Sequence, residues 1–223
     1  VQYRGRLVQE RLTQSAPRSV IELGCGTELQ ARKYFDAGGR WDSWVIVEPS
    51  ETFADHARKE TLPDFNVIEA FFEDVTEGLP DAPDLILCSG LLHEVPDADR
   101  LLAAIRDRMG PASRAHINVP NARSMHRQLA VSMGLIDDLK TLSARNTTLQ
   151  QPRVYDQHSL ADQAARHGLR VEASGGHLVK PFTHAQMESV AEGLGREVMD
   201  GLFRLGQTIP DMASEIYIEV VRG

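Results

Sequence analysis

Glycines and acidic residues follow apolar runs in an order that suits a nucleotide ligand. Gly24-Cys25-Gly26 follows the first run, Glu48 ends the second, and Glu73-Asp74 follows the third. Glycines let the backbone approach a ligand and adopt positive φ, and the helix start beyond them offers unpaired amides. A carboxylate at the second position accepts bonds from ribose hydroxyls, and one at the third accepts a bond from an adenine amino group. Together the three features predict a nucleotide site.

The elements that position these residues alternate in type. Short apolar runs that read as strands are separated by amphipathic stretches that read as helices, so we expect right-handed βαβ units and a parallel sheet with helices on both faces. The predicted strands are Ser19–Leu23, Trp44–Glu48, Phe65–Ala70, Asp84–Cys88 and Ala115–Val119, and the predicted helices are Glu28–Phe35, Glu51–Lys59 and Asp97–Met109.

The second half of the chain is less regular. Residues 121–149 look helical but irregular, a helix is predicted over Leu160–His167, and residues 183–206 look largely helical. The sequence predicts two short strands on either side of Gly175-Gly176, Leu169–Ala173 and His177–Val179, and a last strand at Glu215–Val221.

The glycine turn argues against a dinucleotide such as NAD. A dinucleotide site requires a third glycine, in the pattern G-x-G-x-x-G, where this chain has Leu29. Glu22, two residues before the first glycine, also departs from that pattern.

Four segments resemble class I S-adenosylmethionine-dependent methyltransferases, and the resemblance covers nearly the whole chain. They are Val20–Thr27 (VIELGCGT), Val45–Pro49 (VIVEP), Asp84–Asp97 (DLILCSGLLHEVPD) and Gly110–Arg127 (GPASRAHINVPNARSMHR). The last is similar to the fifth-strand segment of ubiquinone-type and antibiotic or sugar methyltransferases. The chain departs from the family pattern at Glu28, where a third glycine is usual, so either that side chain points outwards or the local turn differs.

The resemblance implies a fold and a set of site residues. The expected fold is a Rossmann-like α/β sheet of seven strands, the last antiparallel and inserted between two others, in one domain over residues 1–223 with helical insertions at about 121–149 and 183–206. S-adenosylmethionine is the implied cofactor, and a small molecule methylated on oxygen or nitrogen is the implied acceptor. The implied cofactor-binding residues are Glu22, Gly24, Cys25, Gly26, Glu48, Pro49, Glu73, Asp74, Ser89 and Gly90.

Methyl transfer needs few catalytic groups, because much of the rate comes from holding the acceptor in line and excluding water. A base helps when the acceptor is a hydroxyl, and His93, just after the fourth strand, is the first candidate. The alternative is a histidine that caps a loop or packs under the cofactor. Tyr155, His158 and His177 are weaker candidates. We expect no catalytic metal, because Asp137-Asp138 are helix neighbours that do not face each other.

Composition limits the possible partners. A net charge of −8, with scattered basic residues, argues against a nucleic-acid partner. No apolar run approaches the roughly 18 residues that span a bilayer, and no secretory signal is visible. Two cysteines in apolar segments give no disulfide framework, so a reducing cytoplasmic setting is expected.

Three alternatives remain open at this stage. The apolar positions Leu194, Val198, Leu202 and Leu205 recur at helical spacing and indicate either core packing or a lid or homodimer face. The fold also supports other transfers from the same cofactor, such as aminopropyl transfer. The third alternative is that the protein binds the cofactor without catalysing a reaction. The intact glycine turn and Glu48 argue against this alternative.

Overall fold

The computed structural model describes residues 2–142 and 151–223, and its centre is a seven-stranded sheet. The strand order is β3-β2-β1-β4-β5-β7-β6, and β7 runs antiparallel to both of its neighbours while the other pairs are parallel. The strands are β1 (Ser19–Leu23), β2 (Ser43–Val47), β3 (Phe65–Ile68), β4 (Leu85–Ser89), β5 (Arg114–Pro120), β6 (Leu169–His177) and β7 (Glu215–Arg222). The expected sheet, with its last strand inserted, is confirmed.

Seven helices are described beside the sheet. They are α1 (Gln2–Ser15), α2 (Gln30–Asp36), α3 (Glu51–Arg58), α4 (Ala98–Arg108), α5 (Met125–Ser132), α6 (Gln157–Arg166) and α7 (His184–Thr208), with 3-10 turns at Phe72–Asp74 and Pro210–Met212. Helix α1 was not predicted. The irregular stretch after β5 contains only α5 among its described residues, and its part at 143–150 lies outside them.

Alternating strand residues form a core on each face of the sheet, as a strand period of two requires. On one face, Ile21 and Ile86 pack with Leu101 of α4 and Leu160 of α6. On the other face, the neighbouring strand positions pack against α1, α2 and α3 through a cluster that includes Val8, Leu12, Val20, Tyr34, Trp44, Ala57 and Leu87. Both faces of the central strands are therefore buried, which leaves the strand ends as the places where polar side chains meet a ligand.

The sixth strand corrects one expectation. The sequence suggested two short strands around Gly175-Gly176, but β6 is continuous from Leu169 to His177, with an irregularity between Val171 and Ala173. The glycines stay in the strand because a Cβ on Gly175 would lie 2.7 Å from the Tyr217 hydroxyl oxygen, and one on Gly176 would lie 2.6 Å from the Ala213 Cβ. They mark close packing, not a chain break.

Candidate functional site

The turn after β1 has the backbone that its glycines predict. Gly24 has φ +69° and Gly26 has φ +55°, and the Gly24 amide donates to the Val47 carbonyl of β2 over 2.9 Å. A Cβ on Gly24 would lie 3.4 Å from the Leu91 side chain, whereas one on Gly26 would meet no atom within 4 Å. The turn therefore leaves open space over Gly26, at the carboxyl end of β1.

Glu48 is fixed beside this turn. Its side chain is buried, and its two carboxylate oxygens accept the amide of Cys25 over 3.0 Å and the amide of Ser50 over 2.9 Å. Oε2 also accepts the Cys25 thiol, with Sγ 3.7 Å away, whereas Oε1 keeps a second lone pair for a ligand. A negative charge is thus held at the boundary between the glycine turn and α3, without a cationic partner in these bonds.

Glu22 supports the turn from below. This buried carboxylate accepts the Trp44 indole N–H over 3.0 Å and the Gln30 amide, at the first residue of α2, over 3.3 Å. Burial raises its pKa to about 7. Its hydrogen bonds connect β1 to β2 and α2. The described contacts of Glu22 are therefore structural ones within the protein.

Glu28 is turned away from the ligand side, one of the two arrangements that its departure from the family pattern allowed. Its carboxylate pairs with Lys33 on α2, and its side chain is 41% exposed. The turn therefore accommodates this bulky acid without filling the space over Gly26.

At the end of β4, Gly90 is packed against an arginine that the sequence analysis missed. Gly90 has φ +72°, and a Cβ there would lie 2.0 Å from Arg4 Nη1 of α1. Arg4 makes two bonds to the Glu215 carboxylate, of 2.7 and 2.6 Å, and Asn118 donates to the same carboxylate over 2.8 Å. Burial alone would raise the pKa of Glu215, but Arg4 lowers it to about 2. Apolar spacing at Tyr3, Leu7, Val8 and Leu12 could have predicted α1, but no motif signals the pairing of residues 211 positions apart.

His93 lies in the loop after β4 with its ring almost fully buried. Its Nε2 is 3.4 Å from the Glu94 carboxylate, and its Nδ1 has no hydrogen-bond partner among the described residues. Burial alone would raise the pKa of Glu94, but bonds from His93 and Gln151 give a net lowering. An Nε2–H directed at Glu94 leaves the Nδ1 lone pair available to accept a proton.

The three weaker catalytic candidates occupy different environments. Tyr155 is buried in the core, its hydroxyl donates to Gln163 over 2.7 Å, and burial raises its pKa to about 12. His158 is on α6 with 86% of its side chain exposed, 3.1 Å from Asp162. His177 ends β6, 3.8 Å from Glu215, and burial lowers its pKa to about 4, so its ring is neutral at neutral pH. Of the three, only His177 lies beside the Arg4–Glu215 ion pair.

The carboxylates after β3 face towards α4. Asp74 pairs with Arg100, and Glu73 lines a shallow cleft with Ala104 and Arg108. Their assignment to adenine remains a prediction. Within residues 2–142 and 151–223, no three His, Cys, Asp or Glu side chains are grouped closely enough to hold a metal ion.

Comparison with known proteins gives a family and a fold. A family model described as a methyltransferase domain matches residues 2–174. Among curated protein sequences, a search finds no significant match.

Several solved structures share this architecture. Their sequence identities to the chain are low, so the similarity concerns the fold alone. An S-adenosylmethionine-dependent methyltransferase from Mesorhizobium loti is 17% identical, with 96% of each chain covered and a TM-score of 0.61. The plantazolicin methyltransferase BamL, solved with a triazolic desmethylPZN analog and SAH, is 13% identical, covering 98% of this chain and 84% of that one, with a TM-score of 0.63. The mitomycin 7-O-methyltransferase MmcR is 17% identical, covering 100% and 53%, with a TM-score of 0.61.

Proposed function

The chain belongs to the methyltransferase domain family, and on that premise we propose that it uses S-adenosylmethionine to methylate an oxygen or nitrogen atom of a small molecule. The observation that carries this proposal is the Glu48 carboxylate, held by two backbone amides beside the open glycine turn. Plantazolicin and mitomycin methyltransferases share the fold, which supports an acceptor from antibiotic or other secondary metabolism.

The residues present fit this cofactor. Glu48 offers the free lone pair of its Oε1 to the ribose hydroxyls, and Gly24 and Gly26 offer a backbone with no side chain to obstruct the methionine part. Ser89 and Gly90, at the end of β4, would lie beside the sulfonium. Glu22 holds the turn in place through Trp44 and α2. Cys25 contributes its amide to Glu48, and burial raises the pKa of its thiol to about 12, so the thiol stays neutral.

The cofactor, when bound, supplies a methyl group activated by a positively charged sulfur. The protein must then hold the acceptor in line, exclude water and remove a proton from a hydroxyl acceptor. We assign proton removal to Nδ1 of His93, with Glu94 holding the Nε2–H. His177 is neutral and buried between Glu215 and Phe203, so we assign it a structural role.

The acceptor site is covered from the side of β5. Helix α5 follows β5 after a four-residue turn and has no buried residue. Exposed Met125 and Leu129 within it and Met133 directly after it lie four residues apart on one face. Methionine adapts to irregular apolar surfaces. We assign this face to contact with the apolar part of the acceptor.

Several broader features belong to the same proposal. One sheet takes strands from residue 19 to residue 222, which supports a single domain. No helix in the described part of the chain is long and apolar enough to span a membrane. Cys25 and Cys88 are free and buried, which supports a cytoplasmic setting, and the net charge supports a small molecule over nucleic acid as partner. The exposed Leu194, Val198 and Leu205 of α7 support a homodimer contact.

Transfer of a labelled methyl group tests the proposal. The protein is incubated with methyl-labelled S-adenosylmethionine and the small-molecule fraction of a cell extract, and labelled products are separated and identified by mass spectrometry. We expect label in a compound of low molecular mass with wild type and a strong loss with Glu48→Ala. Label recovered only in protein or nucleic acid would overturn the proposed acceptor class.

A further inference from the structure

A second pocket opens at the opposite edge of the sheet from the glycine turn. It has a volume of about 200 Å³ and lies between the end of α1 and the first residues of β4 and β5. Its lining residues are mostly polar or charged: Arg11, Gln14, Ser15, Leu85, Arg114, Ala115, His116 and Glu219. Because β1, β4 and β5 are parallel, the glycine turn and Gly90 lie at their carboxyl ends and this pocket at their amino ends. The pocket is therefore separate from the methyl-transfer site.

Polar atoms in this pocket lack regular hydrogen bonds. His116 is 1% exposed, and neither of its ring nitrogens is hydrogen-bonded to any residue that the structure describes. Its Nδ1 is 3.5 Å from a Glu219 carboxylate oxygen, which also lies 3.1 Å from Arg11 Nε, but neither approach has hydrogen-bond geometry. A buried polar group left without a bond costs roughly 1–3 kcal/mol, so native proteins usually satisfy such groups with water or a ligand.

The charges around these atoms indicate the class of ligand. Arg11 and Arg114 approach from two sides, and the single carboxylate in the lining, Glu219, is already compensated by Arg11. Arg114 lies at the mouth with about half of its side chain exposed and uses one terminal nitrogen to pair with Glu172. A guanidinium keeps further N–H donors in a planar fork that matches a carboxylate.

The remaining lining distinguishes an organic anion from an inorganic one. Leu85 and Ala115 form an apolar wall beside the charged groups. Burial of carbon against such a wall is favourable, whereas an inorganic phosphate gains nothing there. We propose that this pocket binds a small organic carboxylate, with Arg114 and His116 contacting the carboxylate group and Leu85 and Ala115 contacting its carbon skeleton.

Binding of benzoate to the protein tests this site. Ligand-observed NMR titrations at fixed ionic strength compare benzoate with benzamide, its neutral isostere, and with inorganic phosphate. We expect saturable benzoate binding in the millimolar range, at least tenfold weaker binding of benzamide and phosphate, and at least tenfold weaker benzoate binding to Arg114→Gln. Arg114 is exposed, so this variant is expected to fold, and thermal unfolding checks that it does.

Two control variants define the result. Arg58→Gln removes a similarly exposed, ion-paired arginine on α3 and should bind benzoate like wild type. Glu48→Ala should also bind benzoate like wild type, whereas its cofactor binding should be weak. Failure of the benzoate site can therefore be distinguished from failure of the proposed function. The inference is overturned if wild type shows no saturable binding, if benzamide or phosphate binds as well as benzoate, if Arg114→Gln binds unchanged, or if either control variant loses binding.

Discussion

Two buried carboxylates flank the glycine turn, and their surroundings give them different roles. Glu22 accepts one indole N–H and one amide that belong to the frame of the fold. Glu48 accepts the amides of Cys25 and Ser50 at the edge of the sheet, where a ligand has access to the remaining lone pair of its Oε1. Residue type alone does not separate the two, because both are acids at the ends of buried strands.

Replacing Glu22 by Gln should change how stability depends on pH. The folded pKa of Glu22, about 7, is above its ordinary value of 4.5, so the folded protein retains this proton more tightly than the unfolded chain. The contribution is fully present below about pH 4.5 and is lost as pH rises to about 7. We expect the unfolding free energy of wild type to fall across this window relative to Glu22→Gln, measured by denaturant titration at several pH values. Parallel pH curves for the two proteins would contradict the raised pKa.

Removing the His93 ring should slow catalysis without weakening the cofactor. If Nδ1 accepts the proton of a hydroxyl acceptor, His93→Ala lowers kcat by about 10²–10⁴-fold while cofactor affinity stays nearly unchanged. The measurement is a pair, single-turnover rate and cofactor affinity, on the same variant. His167→Ala, at a partly exposed histidine that pairs with Asp99 of α4, is the control and should turn over like wild type. A His93→Ala protein with wild-type rate would remove this residue from the mechanism, and joint loss of stability and cofactor affinity would make its role structural.

Among the described helices, α5 is the least anchored by packing, because none of its residues is buried. We predict that it tightens over the acceptor when cofactor product and acceptor are both bound. Hydrogen exchange should then show added protection in α5 and little change in α4, whose Leu101, Leu102 and Ile105 are already packed in the core. Unchanged exchange in α5 with both ligands present would contradict its role as a cover.

Helix α1 is held to the sheet by an ion pair that depends on Gly90. Gly90→Ala would place a Cβ 2.0 Å from Arg4 Nη1 and should displace that arginine from Glu215. Gly134→Ala is the matched control, because Gly134 has a similar φ of +70° but no atom within 4 Å of its would-be Cβ. We expect Gly90→Ala to destabilise the protein by about 2 kcal/mol more than Gly134→Ala, since breaking a fully buried ion pair costs roughly 3–5 kcal/mol and this pair is partly buried. Equal unfolding free energies for the two variants would show that Arg4 moves aside at no cost.

Most of this fold can be predicted from the sequence, because each central strand is marked by a short apolar run of neighbouring residues. Apolar runs such as Ser19–Leu23 are buried on both faces and are bounded by glycine or proline, so their positions are predicted to within two residues. The Arg4–Glu215 pair and the continuous strand through Gly175 depend on contacts between distant parts of the chain. Such contacts leave no pattern in a single sequence. The glycine turn, Glu48 and, from its apolar spacing, helix α1 could be predicted from the sequence, whereas the packing of Arg4 against Gly90 could not.

On the scale of the whole molecule, the sheet topology brings the candidate site together. Parallel strands β1, β2 and β4 end at one edge, which places Gly24, Glu48 and Gly90 on the same side of a doubly covered sheet. Ligands of open α/β folds bind at this edge. The antiparallel β7 adds Glu215 from its first residue, because its amino end lies beside the carboxyl end of β5.

Calorimetric titration with S-adenosylmethionine, and with its demethylated product, tests the proposed function and the role of Glu48 most directly. Wild type should bind both, and Glu48→Ala should bind them about 1.5–3 kcal/mol more weakly, the range for hydrogen bonds to a charged group, which is about 10- to 150-fold. Glu51→Ala, at an exposed acid three residues further along the chain, should bind like wild type. Equal affinities for Glu48→Ala and wild type, with both proteins folded, would contradict the assignment of Glu48 to the ribose, and absence of binding to wild type would contradict the proposed function itself.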